Sequence, residues 1–303
     1  MIKRTILLEN KASLTIKHKQ LVIKTDIRES TVPIEDLGFL VIDHPEIYLS
    51  ISAMNMLIEN NSSVIVCNAN HLPNGMFLNL NSHHIQQEIF RNQIEASIPL
   101  KKQLWQQTIV DKIRNQGILL ERISGNKNQF EFLAGKVLSG DSSNMEGVAA
   151  SHYWKYFFLT LDNELSEQID FKRERFGNYP NNFLNYGYAI LRAATARALS
   201  GSGLLNTLGI HHKSKYNAFA LADDIMEPFR PIIDEKVYQI MEEYKEQELN
   251  TQIKAELLGI LTRTVYFKEE KSPLMVALQK TASSLQQCFT GERKKIKYPK
   301  LWS

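Results

Sequence analysis

The sequence predicts an α+β protein: a small β-rich N-terminal domain over residues 1–82, a linker or helix over 83–98, and a larger all-α C-terminal domain over 99–303. Three observations predict it. Apolar residues recur at period two through the first 80 residues, the period turns helical from about residue 84, and 303 residues exceed one ordinary domain.

The N-terminal elements follow in order. Residues 5–8, 13–17 and 21–24 are short runs alternating through Leu14 and Ile16, then Leu21 and Ile23, separated by polar turns. Val32-Pro33-Ile34 and residues 38–42 continue the strand pattern until Asp43-His44-Pro45 stops it. Residues 46–59 then carry Ile47, Ile51, Met54, Leu57 and Ile58 at helical spacing. Val64-Ile65-Val66-Cys67 is a buried strand, and Asn74-Gly75 is a turn signal ahead of Met76-Phe77-Leu78. A small twisted sheet or split sandwich with one covering helix results.

Helices are expected over residues 85–96, over a run to about Asn115 with Pro99 in its first turn, and over 128–137, 144–161, 182–200, 221–244, 252–261 and 273–288. The segment 171–180 is a charged loop, and no fixed-period repeat or low-complexity tract occurs.

Composition removes several classes. Hydrophobic residues make up 43% and charged residues 23%, ordinary for a folded chain. No stretch approaches the roughly 20 apolar residues needed to cross a bilayer. After Met1-Ile2-Lys3-Arg4-Thr5 only three apolar residues follow before Glu9, too few for a signal-peptide core, so a cytoplasmic protein without a membrane partner is expected. Cys67 and Cys288 are too few and too far apart for a disulfide scaffold or a zinc site. The net charge of +3 does not announce nucleic-acid binding, although Lys101-Lys102, Lys172-Arg173 with Arg175, and Arg293-Lys294-Lys295 with Lys297 and Lys300 are local basic clusters.

Three places in the helical half can carry chemistry. Ser142-Ser143-Asn144-Met145-Glu146-Gly147 reads as a helix start capped by Ser or Asn, in which Glu146 either complements the helix dipole or faces a site. In Gly209-Ile210-His211-His212, adjacent histidines cannot face the same way, so at most one points into a site. In Leu221-Ala222-Asp223-Asp224-Ile225-Met226-Glu227-Pro228-Phe229-Arg230-Pro231, acids three and four apart share a helix face and repel unless a cation sits among them. That stretch is either a divalent-metal site or an exposed acidic helix start capped by Asp223.

Together, Asn144-Met145-Glu146-Gly147, the run from Leu184 to Ala193, Gly209-Ile210-His211-His212 and Asp223-Asp224-Ile225-Met226-Glu227-Pro228-Phe229-Arg230 resemble the CRISPR-associated integrase, the nearly universal first Cas protein, in a style closest to type II members. The resemblance also takes in Val64-Ile65-Val66-Cys67 and His71-Leu72-Pro73-Asn74-Gly75. It implies an N-terminal β domain and a C-terminal α-helical catalytic domain. It implies a metal site of Glu146, His212 and Glu227, the fourth position of Gly-x-x-His selecting His212 over His211. The last acid is aspartate in many relatives and glutamate here. Asp224, Asn185 and Tyr188 take supporting roles, and Arg192 or Lys213 is the candidate to hold DNA phosphate. The implied cofactor is Mn²⁺ or Mg²⁺, suited to two carboxylates and one imidazole. The implied activity is metal-dependent DNA endonuclease and integrase chemistry, joining 3′-OH ends of short fragments to CRISPR repeat boundaries by transesterification. No nucleotide is needed, in keeping with the lack of a Gly-x-x-x-x-Gly-Lys loop. The implied partners are double-stranded DNA, a second copy of the chain in a homodimer, and a small second adaptation protein. A stand-alone structure-specific nuclease and a non-catalytic DNA-binding subunit are the alternatives.

Overall fold

The computed structural model describes residues 3–79, 81, 83–126, 129–161, 171–174, 177–244, 247–268 and 270–303. Asn128, expected at a helix start, and Arg175 of one basic cluster lie outside them.

The N-terminal strands form two four-stranded sheets. One has the order β1 (Arg4–Leu8), β5 (Leu37–Ile42), β7 (Ser63–Cys67), β8 (Pro73–Phe77), with β1, β5 and β7 parallel and β8 antiparallel. The other has the order β4 (Glu29–Pro33), β3 (Gln20–Lys24), β2 (Ala12–Lys17), β6 (Ile47–Leu49). Leu14, Leu21, Leu40 and Val64 pack with Leu57 of helix α1 (Ile51–Glu59) into a core between the sheets. Phe39, Val41 and Ile65, on the opposite face of the first sheet, enter the large helical core instead. Both faces of β5 are thus covered, which explains its unbroken apolar run Leu-Gly-Phe-Leu-Val-Ile where a half-exposed strand would alternate.

Two local expectations are corrected here. Residues 46–59 are not one helix: Ile47 and Leu49 pair with Ala12 and Leu14, and the helix begins only after Ser50, whose side chain accepts from Ala53 N. Both patterns place an apolar residue at 47, and strand pairing wins. Asn74-Gly75 is not a turn but lies within β8, Gly75 opposite Val66. The turn sits at Asn68, whose Oδ1 accepts from Asn70 N and Leu72 N.

The C-terminal body is helical: α2 (Gln86–Glu95), α3 (Ile98–Ser124), α4 (Phe130–Gly135), α5 (Met145–Phe157), α6 (Asn181–Gly201), α7 (Ala220–Met226), α8 (Arg230–Glu243), α9 (Thr251–Gly259) and α10 (Leu274–Phe289). Helix α3 runs past Asn115 because Leu119 and Leu120 keep the buried stripe going. It stops at Gly125, which takes φ 70 and donates to Glu121 O. The expected single helix over 221–244 is broken by a 3-10 turn, Glu227–Phe229, where Pro228 has no N–H to give. The C-terminal part is also not purely helical. Thr264–Tyr266 and Lys271–Pro273 pair as a short hairpin, and Tyr266 bridges to Lys300. No helix among the described residues is long and apolar enough to cross a membrane. Cys67 and Cys288 are both free.

Candidate metal and nucleic-acid site

Helix α3 turns a buried stripe of Trp105, Thr108, Ile109, Ile113 and Gln116 inward, and Lys112 lies on it. Its Nζ stands 2.6 Å from Glu146 Oε1 and 2.6 Å from Glu227 Oε2. Two carboxylates from distant segments therefore meet at one cationic point. Glu146 opens helix α5, whose first amides are held by Asp141: Met145 N donates to Oδ1 at 2.8 Å and Glu146 N to Oδ2 at 3.0 Å. The cap is thus Asp141 and not the expected Ser or Asn; Asn144 takes a left-handed backbone and caps nothing. Glu227 is fixed by the turn at Pro228, whose carbonyl accepts from Asn115 Nδ2 of α3 at 2.7 Å.

Glu227 also accepts from Arg230 Nε at 2.8 Å. Burial alone would raise its pKa, but Arg230 and Lys112 outweigh that and hold it at about 2. Burial likewise works against a charged Lys112, and Glu227 and Glu146 more than compensate, leaving it above its ordinary value. Although Oε2 of Glu227 contacts the ammonium, it is buried without a well-angled hydrogen bond.

Asp224 is fully buried and binds the histidine loop: its carboxylate accepts from His211 N at 2.9 Å, from His212 N at 3.3 Å and from His212 Nδ1 at 2.5 Å. The hydrogen bond to Asp224 raises the His212 pKa against partial burial. Nδ1 being engaged, Nε2 is the ring nitrogen turned away from Asp224, the arrangement that orients an imidazole ligand. The neighbouring His211 instead stacks on Trp105, centroids 4.1 Å apart. The pair does face two ways.

The three acids of the 221–231 stretch do not gather round one cation. Asp223 is neither exposed nor a cap: it receives a forked contact from Arg192 (2.6 and 3.0 Å) and a bond from Asn217. Asp224 goes to His212 and Glu227 to Lys112 and Arg230, so each has its own partner. The Arg192 guanidinium is accordingly engaged within the protein, whereas Lys213 lines an open groove of about 1040 Å³ beside the histidines, with Lys101, Lys102, Lys215 and Tyr216. Tyr188 donates to buried Asp234, which also accepts from Tyr153 at 2.8 Å. Arg230 lies over the Tyr188 ring at 4.6 Å, so Tyr188 backs the Glu227 ion pair from behind. Asn185 accepts from Arg173 at 2.7 Å, and that guanidinium lies 5.2 Å from the centre of the Tyr188 ring, so Asn185 reaches this cluster through Arg173.

Among the described residues no three His, Cys, Asp or Glu side chains already stand in metal-ligand geometry. The donor set nonetheless fits a divalent cation. Glu146 and Glu227 converge on one positive charge, and one buried oxygen of Glu227 lacks a directional partner.

The family model for CRISPR associated protein Cas1 matches residues 5–269. The chain belongs to that family. It is 34% identical over 306 residues to the CRISPR-associated endonuclease Cas1 of Neisseria meningitidis serogroup C (strain 8013), covering 99% of this chain and 97% of the relative. A Cas1 of Francisella tularensis subsp. novicida (strain U112) is 25% identical, with 99% and 100% covered. Among solved structures, a casposase bound to integration product has TM-score 0.79 at 19% identity, covering 97% of this chain and 92% of that one. The Thermotoga maritima Cas1 protein TM1797 gives 0.76 at 17%, covering 95% and 97%. These two likenesses concern the fold.

Within this Cas1 fold, sequence reasoning missed Lys112, Asn115, Asp141 and Asp234. Lys112 had a signal: a lysine on the inward stripe of an amphipathic helix must meet an anion to be buried. Asp234 had none, since its tyrosine partners come from helices far away in sequence.

Proposed function

We propose that this chain is a metal-dependent DNA nuclease and integrase of CRISPR adaptation, using Glu146, His212 and Glu227 as ligands for Mn²⁺ or Mg²⁺. One observation carries the reading: Glu146 and Glu227, from distant segments, converge at 2.6 Å on a single positive charge. The relative from Neisseria, named an endonuclease, supports the nuclease half, and the Cas1 membership supports a place in CRISPR adaptation. The type II-like reading rests on the overall style of the sequence.

A bound divalent ion supplies polarisation of the scissile phosphate and stabilises charge on the departing 3′ oxygen. The protein's own groups do the rest. Asp224 holds His212 in one tautomer, with Nε2 available as a ligand. Arg230 and the Asn115–Pro228 contact fix Glu227 in place. Lys101, Lys102, Lys213 and Lys215 give the groove a positive lining that binds the phosphate backbone without reading bases. With a DNA 3′-hydroxyl as nucleophile the products are joined strands; with water they are cut ends. The working assembly in this proposal is a cytoplasmic homodimer with a small second adaptation protein on double-stranded DNA; one solved neighbour of this fold is titled a Cas6-RT-Cas1–Cas2 complex.

The test is a strand-transfer assay on supercoiled repeat DNA, with Mn²⁺ and with chelator. Joined products that disappear in chelator and in Glu146→Ala are the expected result. Cutting without joining would leave a stand-alone nuclease, and neither would leave a binding subunit.

A further inference from the structure

We infer that Lys112 is a built-in counter-cation that competes with the divalent ion for Glu146 and Glu227, so that loading the metal requires the ammonium to move aside; the inference rests on the metal-site reading above. Its Nζ is equidistant from the two carboxylates, and the side chain is only 10% exposed. A lysine placed on an apolar stripe between Ile109 and Ile113 is costly to bury unless it is paired. Glu227, with its side chain 6% exposed, is equally costly without a cation, and half-buried Glu146 (28% exposed) brings a second negative charge to the same point. The ammonium and the carboxylates therefore offset one another in the metal-free protein.

The pairing is also exchangeable. The contact to Glu227 Oε2 is close but poorly angled, a charge contact more than a directional bond. An ammonium on a four-carbon stem with rotatable donors can leave without disturbing its helix, as a forked guanidinium could not. A divalent ion and an ammonium cannot occupy the same point between two carboxylates, because like charges a few ångströms apart in a buried site repel strongly. Metal affinity is therefore lowered by the fraction of protein in which Lys112 holds the site.

The test measures Mn²⁺ binding to DNA-free protein by calorimetry and by electron paramagnetic resonance, in wild type, Lys112→Met and Glu146→Gln. Met keeps the apolar stem and removes the charge. Lys112→Met is expected to bind Mn²⁺ about tenfold more tightly or better, to melt below wild type in chelator, and to gain more in melting temperature when Mn²⁺ is added. Unchanged or weaker binding in Lys112→Met overturns the inference. If Glu146→Gln fails to weaken wild-type binding, the metal site itself is wrong. If it weakens binding while Lys112→Met does not tighten it, only the role of Lys112 fails. Wild-type protein gives a readout that needs no variant to fold: reductive methylation followed by mass spectrometry. Lys112 is expected to react slowly in chelator and several-fold faster in Mn²⁺, and equal rates in the two would overturn the competition.

Discussion

Glu227 is a buried carboxylate between two cations, and its protonation has a computable sign. Its folded pKa of about 2 lies below the ordinary 4.5, so the pairing stabilises metal-free protein above about pH 4.5 and is lost as pH falls toward 2. Melting curves against pH in chelator are expected to show a steep acid limb that flattens in Glu227→Gln. The same variant is expected to keep DNA binding and lose strand joining. An equal loss of both would assign Glu227 a structural task. Asp224 acts through another residue, and Asp224→Asn is expected to weaken Mn²⁺ binding by roughly 10- to 100-fold with DNA affinity little changed. Titrating metal and DNA separately checks this. His212→Ala is expected to abolish activity. His211→Ala loses a stack on Trp105 and an edge contact with the His212 ring, and is expected to stay active, a contrast visible in one cleavage assay.

At the scale of elements, the turn Glu227–Phe229 carries Glu227 at the end of α7, and Asn115 Nδ2 of α3 ties that turn down by bonding the Pro228 carbonyl. Asn115→Ala leaves that carbonyl buried and unsatisfied and is expected to cost on the order of 1–3 kcal/mol in urea denaturation. A parallel loss of turnover with unchanged groove binding would place the effect at the turn.

At the scale of the whole molecule, the β-rich part and the helical body share a charged contact as well as an apolar one. Lys254 of α9 is buried, and its Nζ reaches Asp43 at 2.7 Å and Glu9 at 2.9 Å. Lys254→Met removes the cation shared by Glu9 and Asp43, leaving Asp43 its contact with His71, and is expected to destabilise the protein by about 3 kcal/mol, read as a lower denaturation midpoint. In the proposed function, DNA binding falls to the lysines of the groove. With a net charge of only +3, affinity depends on arrangement, and Lys213→Ala is expected to weaken binding evenly across sequences and to reduce the salt slope by about 1. A sequence-dependent loss would contradict backbone binding.

Periodicity by itself determined the two-part architecture, because the alternation of strands and the 3.6-residue spacing of helices are local consequences of which faces are buried. The family resemblance singled out Glu146, His212 and Glu227, where residue chemistry alone left each of them open. The sequence was least informative where two local patterns competed, at 46–59 and at Asn74-Gly75, since only a partner strand decides between them. Tertiary structure alone decided which acid meets which cation. Asp223, Asp224 and Glu227 look alike in sequence, yet each is held by a different segment: Arg192 on α6, the histidine loop, and Lys112 on α3. Charge pairing across a fold depends on distances in space that spacing along the chain does not encode.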